Sequence, residues 1–280
     1  MKVKGGKMKK IGYQGEEGSY SDIAVIKYFG EDVAKKSYSN FIEMMEDMNS
    51  MKLDYCVLPI ENTTTGPITR AVDLLKDYDM QIIGEEYVDV NHCLIGFKNA
   101  EFKDIEVVYS HPEALKQCDQ FFEKYEDIKK VAYIDTAKSV EYIKTSGDKT
   151  KGALASYRAA EIHDMKIIKK NMQDNKNNIT RFAVISKNVD YHKRANRVSM
   201  YLVTNHSAGS LYEVVKIFND KGINMLKLES RPIVGESFSY GFYIDVEGNL
   251  EDKNITKALY ELGFCCKNHK ILGNYISKKG

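Results

Sequence analysis

The chain has 280 residues, 43% of them hydrophobic and 29% charged, which is typical of a globular protein with one large domain or two modest ones. Its formal net charge of +1 at pH 7 gives no long-range attraction to nucleic acid or to an anionic membrane, and no apolar run reaches the roughly 18 residues of a membrane span. The five cysteines form no C-x-x-C pair, which argues against a disulfide framework or a zinc site and favours a reducing, cytoplasmic compartment.

Short apolar runs alternate with helical patterns between residue 11 and about residue 189. Because strands that alternate with helices form largely parallel sheets, this region is predicted to be α/β, with ligands bound beyond the carboxyl ends of its strands. Long strand-like stretches at 80–97 and 167–180 are typical of a chain that crosses between two lobes and back. The predicted strands are 55–60, 106–109 and 131–134, and the predicted helices are 23–30, ending at Gly30, and 114–122.

A polar segment at 186–196 is predicted to be a linker, and the pattern changes after it. Six elements follow in about eighty residues, in the order strand, helix, strand, strand, helix, strand, which predicts a ferredoxin-like unit. Its second helix is predicted to stop at Gly263, and its last strand to begin at Cys265. The predicted domains are residues 9–189 and residues 197–276.

Polar clusters follow the predicted strands of the first domain. Ser19 lies in a glycine-rich turn, GEEGSYS, where it could cap the next helix and leave N–H groups for a carboxylate; the sequence alone favours an ordinary strand-to-helix turn. The turn is neither a P-loop nor a GxGxxG motif, which argues against nucleotide binding. The run PIENTTTG places Glu61, Asn62 and Thr63 after the strongest strand, where a ligand-binding loop and a capped turn are equally good interpretations.

Three more polar clusters in the first domain also lie next to predicted strands. The segment SHPE ends one strand and begins a helix, and its His111 is either an acid–base residue or a hydrogen-bonded structural one. Thr136 follows the next strand, where it could simply cap a helix. The segment NNITRF opens a strand with Thr180, a hydroxyl donor, and Arg181, which could face a carboxylate. Each cluster alone is ordinary, and together they suit one cleft.

The second domain has two polar clusters of its own. The turn NHSAGSL joins a strand to a helix N-terminus, where backbone N–H groups could hold an amino-acid carboxylate. The segment ESRP ends the next strand, and its Glu229 could meet the ammonium group or only an internal arginine. A plain loop and a salt bridge are the default interpretation of these two clusters.

Taken in order, the segments GEEGSYS, PIENTTTG, SHPE, DTA, NNITRF, SAGSLYEV and ESRP resemble those of prephenate dehydratases with a C-terminal ACT regulatory domain, over residues 11–276. The resemblance implies a bilobed catalytic region similar to periplasmic binding proteins, followed by the ACT domain. It implies decarboxylation and dehydration of prephenate to phenylpyruvate in phenylalanine synthesis, without a metal or organic cofactor. It also implies feedback inhibition by phenylalanine bound between paired ACT domains, and therefore a homodimer or homotetramer.

The resemblance also assigns residues. The Thr of the family's T-R-F motif falls on Thr180, which we expect to donate a hydrogen bond to the departing hydroxyl group. Arg181 either binds a carboxylate or fixes its strand, and we favour the second; Phe182 is expected to pack. The catalytic set is Thr180, Asn62, Glu61 and Thr136. The substrate-binding set is Ser19, Thr63, Ser110, His111, Glu113, Arg181 and Phe182, and the phenylalanine-binding set is Asn205, Ala208, Gly209, Leu211, Glu229, Ser230, Arg231 and Pro232.

Two positions depart from the family pattern. Glu113 replaces the usual Gln, and Asp135 stands where the family often has Ser, so the roles of both are open. A carboxylate is unfavourable beside the anionic prephenate but would suit the ammonium group of arogenate, so arogenate dehydratase is one alternative. A non-catalytic amino-acid sensor is the other, and the polar set around Thr180 argues against it. With about ten residues before the first predicted strand, no fused chorismate mutase domain is expected.

Overall fold

The structure is a computed structural model, and it describes residues 8–188, 192–236 and 238–278. The chain forms two compact units, one made of Met1–Ala71 and Glu86–Phe182 and the other of Val72–Glu85 and Ala183–Gly280. Part of the predicted linker, residues 189–191, lies outside the described residues. No helix among the described residues is both long and apolar enough to cross a membrane.

The secondary structure is a mixture of helices and strands along the whole described chain. The strands are β1 (Lys10–Gln14), β2 (Ala34–Tyr38), β3 (Tyr55–Asn62), β4 (Gly66–Pro67), β5 (Gln81–Asp89), β6 (Cys93–Gly96), β7 (Val107–Ser110), β8 (Lys129–Ala132), β9 (Lys151–Ala155), β10 (Lys166–Lys169), β11 (Ile179–Ser186), β12 (Arg197–Thr204), β13 (Met225–Pro232), β14 (Tyr240–Glu247) and β15 (Cys266–Tyr275). The α-helices are α1 (Tyr20–Phe29), α2 (Phe41–Asn49), α3 (Thr69–Asp77), α4 (Pro112–Lys116), α5 (Asp119–Lys124), α6 (Thr136–Ser146), α7 (Tyr157–Ile162), α8 (Ser210–Asp220) and α9 (Lys253–Cys265).

The first unit contains a parallel group of strands in which β1 lies between β2 and β3. The start of β11 lies beside β3, and the backbone N–H of Thr63 donates to the carbonyl of Ile179 at 2.9 Å. The predicted helix that ends at Gly30 is confirmed, because α1 ends at Phe29 and Gly30 has a φ of 84°. This arrangement brings the carboxyl end of β3 next to the first residues of β11.

A second sheet in the same unit has the strand order β10-β6-β9-β7-β8. Strand β7 is parallel to both of its neighbours, whereas β6 is antiparallel to both of its neighbours. It is buried on both faces, as neighbouring residues of β6 show. Leu94 packs in a cluster with Phe121, whereas Ile95 packs in another cluster with Val140 and Ile143. The predicted strand at 131–134 is observed two residues earlier, as β8.

The helix predicted at 114–122 is interrupted. Gln117 and Cys118 separate α4 from α5, and Cys118 has the non-helical angles φ −122° and ψ 28°. The carbonyl of Gln117 accepts a hydrogen bond from the backbone N–H of Asp174 at 2.8 Å, instead of continuing the helical pattern. The helix interruption thus coincides with a hydrogen bond between residues that are distant along the chain, and no local sequence signal marks it.

The second unit contains an antiparallel sheet in the order β13-β14-β12-β15. Helices α8 and α9 pack on one face through Val214, Phe218 and Leu262, which lie in one cluster with Met200 and Ile244 of the sheet. The predicted order of six elements is confirmed. Two boundaries were wrong: α9 continues through Gly263 to Cys265, and the last strand begins one residue later, at Cys266. Gly263 has helical rather than left-handed backbone angles, so it does not terminate the helix.

The segment Val72–Glu85 belongs to the second unit through polar contacts of its own. Lys270 Nζ donates to the carbonyls of Lys76 (3.0 Å) and Tyr78 (2.7 Å), at the carboxyl end of α3, where a cation suits the helix dipole. The guanidinium of Arg197 binds Glu85 at 2.9 Å, and both side chains are buried. Removal of either partner would strongly destabilise the folded state, because the other charge would be left buried without its partner.

Candidate active site

The site is built on two strand ends. Asn62 is the last residue of β3 and Thr180 is the second residue of β11, and both side chains are buried. The amide nitrogen of Asn62 donates to Thr180 Oγ1 at 2.9 Å and to Asn178 Oδ1 at 2.7 Å. Its oxygen accepts from the backbone N–H groups of Thr64 (2.8 Å) and Thr65 (3.0 Å).

These contacts fix how each group is used. Both amide hydrogens of Asn62 are occupied, so this residue orients its neighbours rather than offering a donor to a ligand. Thr180 accepts one of these hydrogen bonds, which leaves its own hydroxyl hydrogen to donate to another group. Thr63 closes the same strand ends, since its hydroxyl group donates to the carbonyl of Asn177 at 2.6 Å and accepts from the N–H of Ile179 at 2.9 Å.

A cavity of about 480 Å³ opens beside these strand ends. This volume lies within the usual range of sites for small molecules. Its lining is polar, with Lys116 as the cation and Glu113 and Asp174 as the acids among the lining residues. The other lining residues are Thr64, Thr65, Gln117, Gln173, Asn175 and Asn178. A polar small molecule that carries both charged and neutral oxygens fits such a lining.

Comparison with known proteins identifies the family. The family model described as prephenate dehydratase matches residues 11–190. The chain belongs to the prephenate dehydratase family. It is 35% identical to the bifunctional chorismate mutase/prephenate dehydratase of Buchnera aphidicola subsp. Acyrthosiphon pisum, over 95% of this chain and 71% of that protein. It is 34% identical to the chloroplastic arogenate dehydratase/prephenate dehydratase 1 of Arabidopsis thaliana, again over 95% of this chain and 71% of that protein.

Solved structures of similar proteins agree with this family fold. The prephenate dehydratase of Staphylococcus aureus subsp. aureus Mu50 matches with a TM-score of 0.85 and 25% identity, over 95% of this chain and 99% of that one. GqqA, described as a novel type of quorum quenching acylase, matches with a TM-score of 0.88 and 27% identity, over 97% and 99% of the two chains. The prephenate dehydratase of Arthrobacter aurescens in complex with L-Phe has the same fold, with a TM-score of 0.87 and 23% identity over 95% and 89%.

In this prephenate dehydratase family member, several predicted residues come together. Asn62 contacts Thr180 directly, Thr63 ties the same strand ends, and Glu113 lines the cavity from α4. Glu61 and Arg181 form an ion pair at 3.5 Å, with Arg181 buried. Because neighbouring residues of a strand point to opposite faces, this pair lies away from the Asn62–Thr180 pair. The pair joins β3 to β11. The strand-fixing role favoured for Arg181 and the catalytic role expected for Glu61 both stay predictions.

Of the predicted catalytic and substrate-binding residues, Glu113 alone is among those that line this cavity; Asn62 and Thr180 lie next to it through their neighbours Thr64, Thr65 and Asn178. The remaining predicted residues have contacts within the scaffold. Ser19 caps α1 by accepting from the N–H of Asp22 at 3.3 Å, and buried Ser110 donates to the carbonyl of Leu154 at 2.6 Å. His111 is exposed and its Nδ1 accepts from the N–H of Glu113 at 3.2 Å, at the start of α4. Phe182 is buried in the core, as expected.

Thr136 and Asp135 lie at the start of α6. Thr136 is the first helical residue and is half-buried. The side chain of Asp135 caps the helix, since its Oδ1 accepts from the N–H groups of Ala137 (2.7 Å) and Lys138 (3.2 Å). The departure from the family pattern at Asp135 therefore has a structural use.

Some residues of the site were missed by the sequence reasoning. Asn178, Gln117 and Gln173 line the cavity, and Lys116 supplies its cation. Asn178 lies inside the quoted NNITRF segment, and Gln117 follows Glu113 by one helical turn, so both had a sequence signal. Gln173 comes from a polar loop that carries no motif, and only the folded chain brings it there. No group of His, Cys, Asp and Glu among residues 8–188, 192–236 and 238–278 is arranged to hold a metal ion.

The second unit has a larger cavity, of about 590 Å³, at the turn that leads into α8. Four predicted phenylalanine-binding residues line it, namely Asn205, Ala208, Gly209 and Leu211. The four residues of ESRP are not among its lining residues. Arg231 instead forms a bidentate ion pair with Asp73 (2.7 and 3.2 Å), and Glu229 pairs with Lys227 at 3.0 Å.

Proposed function

We propose that this chain is a prephenate dehydratase that removes carbon dioxide and water from prephenate to give phenylpyruvate. The observation that carries the proposal is the Asn62–Thr180 pair beside a polar cavity, in a chain whose family model covers residues 11–190. Prephenate carries two carboxylates and a ring hydroxyl group, and the lining offers Lys116 and neutral amide and hydroxyl groups to these three groups. The proposed setting is the cytoplasm, within phenylalanine synthesis.

The reaction needs little from the protein beyond binding and one donor. The bond between the ring and its carboxylate breaks, and its electron pair enters the ring as the bond to the ring hydroxyl breaks. The oxygen leaves with the electron pair of its bond to the ring, held by a hydrogen-bond donor, and takes up one proton from solvent on product release, so that the products are phenylpyruvate, carbon dioxide and water. A donor hydrogen bond to that oxygen lowers the barrier, because charge develops there in the transition state. Aromatisation supplies the driving force, so no metal or organic cofactor is required by the proposal.

Thr180 takes the donor role in this proposal. Asn62 donates to Thr180 Oγ1, so the hydroxyl hydrogen is directed elsewhere. A threonine hydroxyl group is a poor acid in water, so it acts as a hydrogen-bond donor in a site from which water is excluded. Lys116 is the cation that would attract a substrate carboxylate, and Thr64 adds a hydroxyl donor nearby. The hydroxyl group of Thr65 already donates to Asn62 Oδ1 at 3.4 Å. Glu61 and Arg181 hold the strand ends in place.

Arogenate is the competing substrate, and one observation favours it. Glu113 lines the cavity, and a carboxylate there would attract the ammonium group that arogenate has in place of the keto group of prephenate. The Arabidopsis thaliana relative is named for both activities. A non-catalytic amino-acid sensor is the alternative from another class, and it predicts no turnover of either substrate.

We further infer two domains, a bilobed catalytic domain at residues 9–189 and an ACT regulatory domain at residues 197–276. Support for the first comes from the two sheets of the first unit. Support for the second is the antiparallel order β13-β14-β12-β15 with two helices on one face, which is the ferredoxin-like arrangement. The 590 Å³ cavity at the start of α8 is the proposed phenylalanine site, where helix N–H groups suit a carboxylate.

Regulation follows if phenylalanine binds one state of the enzyme better than the other. In the family the regulatory ligand lies between paired ACT domains, so the proposed assembly is a homodimer or homotetramer. Glu229, Ser230, Arg231 and Pro232 would then act at that interface.

The test is a turnover assay with purified protein. Prephenate and arogenate are supplied separately, with and without phenylalanine, and the aromatic product is followed. Phenylpyruvate formed from prephenate and suppressed by phenylalanine supports both domains of the proposal. Faster turnover of arogenate moves the assignment to arogenate dehydratase, and no turnover of either substrate by folded protein leaves the sensor.

A further inference from the structure

A continuous hydrogen-bond network runs from the strand ends into the protein interior. It joins Asn62, Asn178, Gln117, His92 and Tyr20, and we refer to it as the amide network. Asn178 Nδ2 donates to Gln117 Oε1 at 2.8 Å, His92 Nε2 lies 3.0 Å from the same oxygen, and His92 Nδ1 lies 3.1 Å from the hydroxyl group of Tyr20. His92 is 2% exposed and is therefore shielded from water, whereas Tyr20 is half-buried.

The direction of the amide network is set by the backbone. Two N–H groups, of Thr64 and Thr65, face one atom of the Asn62 amide, and that atom must be the oxygen because N–H groups only donate. The nitrogen of Asn62 therefore faces Asn178, which must present its own oxygen. The nitrogen of Asn178 in turn faces Gln117, which must also present oxygen. No amide in this series can be turned without placing two donors or two acceptors against each other.

The same logic fixes the tautomer of His92. Gln117 Oε1 is an acceptor, so the His92 Nε2 that contacts it must carry hydrogen. Burial lowers the pKa of His92, which keeps the ring neutral and leaves Nδ1 as an acceptor. Tyr20 is the matching donor, since desolvation raises the pKa of its hydroxyl group well above the usual value. The backbone N–H of His92 donates to Gln173 Oε1 at 3.0 Å, which fixes the backbone of this residue.

The contacts of its oxygen fix the orientation of the Gln117 amide. Gln117 Oε1 already accepts from Asn178 and from His92, so both lone pairs of this oxygen are used. Gln117 lines the 480 Å³ cavity, and its two amide hydrogens are the groups left to meet a ligand oxygen there. We propose that His92 is a positioning residue, which with Tyr20 fixes the amide of Gln117 so that it presents hydrogen-bond donors to an oxygen of the substrate. Naming that substrate as prephenate rests on the proposed function.

Activity measurements test the role of His92 through Gln117. His92→Leu removes the donor to Gln117 Oε1 and should lower kcat/KM about 10- to 100-fold, as expected when a placed donor is lost. His92→Gln can keep an N–H at the position of Nε2 and should restore most of that loss. The changes in kcat and in KM of His92→Leu should match those of Gln117→Ala, and adding His92→Leu to Gln117→Ala should cause little further loss. Losses that multiply would refute positioning through Gln117.

Tyr20→Phe tests the end of the network that lies away from the strand ends, with Tyr38→Phe as its matched control. Each change removes one phenol hydroxyl group, and Tyr38 donates at 2.8 Å to Asp47, outside the amide network. We expect Tyr20→Phe to lower kcat/KM several-fold, and Tyr38→Phe to alter stability without altering kcat/KM. Equal effects of the two changes on kcat/KM would overturn the proposed role of Tyr20. Melting curves of all variants show which of them are folded.

A measurement without substrate separates this inference from the proposed function. Nitrogen-15 NMR of histidine-labelled protein distinguishes the two neutral tautomers and the imidazolium, and the His92→Gln spectrum identifies the His92 signals among the six histidines. The expected result is a neutral ring with hydrogen on Nε2 at pH 7. Hydrogen on Nδ1, or a charged ring, would refute the network direction even in an active enzyme. The expected tautomer in a protein that does not turn over prephenate would leave the network intact and reject only the substrate.

Discussion

Replacement of Thr180 by valine is the most direct test of the proposed chemistry. Valine keeps the shape of threonine but removes the hydroxyl group, and with it the proposed donor to the departing oxygen. Loss of one donor aimed at developing charge lowers kcat by roughly 10²- to 10³-fold. Thr180→Ser keeps the hydroxyl group and should retain most of the activity.

The same replacement has a defined effect on stability. Asn62 donates to Thr180 Oγ1 at 2.9 Å, so valine leaves one buried amide hydrogen without an acceptor. An unsatisfied buried donor costs about 1–3 kcal/mol of the free energy of unfolding. For a domain of this size that corresponds to a decrease in Tm of roughly 2–10 °C, so Thr180→Val should remain folded at 25 °C.

The assay follows aromatic product at saturating prephenate, with a thermal melt of each variant by circular dichroism. Ser199→Ala is a suitable control, because Ser199 is also buried and its hydroxyl group donates to Asp245 at 2.5 Å, in the second unit. The control should lose stability and keep its kcat. A folded Thr180→Val enzyme whose kcat lies within threefold of the unmodified enzyme would refute the donor role of Thr180.

Three further predictions follow from the described contacts. Glu113→Gln restores the amide usual in the family and should raise the ratio of kcat/KM for prephenate to that for arogenate; an unchanged ratio would show that Glu113 does not select the substrate. Leu211→Ala should raise the phenylalanine concentration needed for half-inhibition about tenfold or more, and an unchanged value in inhibition curves would place the regulatory site elsewhere. Burial lowers the pKa of His92 in the folded chain. Below the usual histidine pKa of about 6.5, His92 therefore takes up a proton in the unfolded chain but not in the folded chain. The neutral buried ring therefore costs no stability above that pH, and the folded state loses stability as the pH falls below it. Urea unfolding between pH 7 and 5 should show a smaller loss of the free energy of unfolding for His92→Gln than for the unmodified protein. Equal losses would refute the linkage.

Sequence patterns were sufficient for elements whose signals are local. The strand Tyr55–Asn62 is a nearly continuous apolar run, and the helix Tyr20–Phe29 ends at a glycine with positive φ. The order of the last six elements could also be read, because helical and strand periodicities alternate clearly there. Gly263 shows the limit of such rules, since a glycine stops a helix only when the backbone turns left-handed.

The candidate site depended on contacts between distant parts of the chain. The sequence identified Asn62 and Thr180 by resemblance, but not that they touch across 118 residues. The interruption between α4 and α5 coincides with a hydrogen bond from the N–H of Asp174, and Gln117 lies there beside the cavity. His92 had no signal of its own, because a histidine gains its role only from the two partners that the fold supplies.

The direction of the amide network means that one atom can decide the state of several residues. Replacement of the Asn178 nitrogen by oxygen, as in deamidation to aspartate, would put an acceptor against Gln117 Oε1. An ionised carboxylate at this position would force Gln117 to turn over, and the amide nitrogen of Gln117 would then meet the Nε2 hydrogen of His92. The error would thus pass from residue to residue until it reached Tyr20. The hydrogen-bond directions of these residues are therefore linked, so a change at one residue alters the contacts of the others.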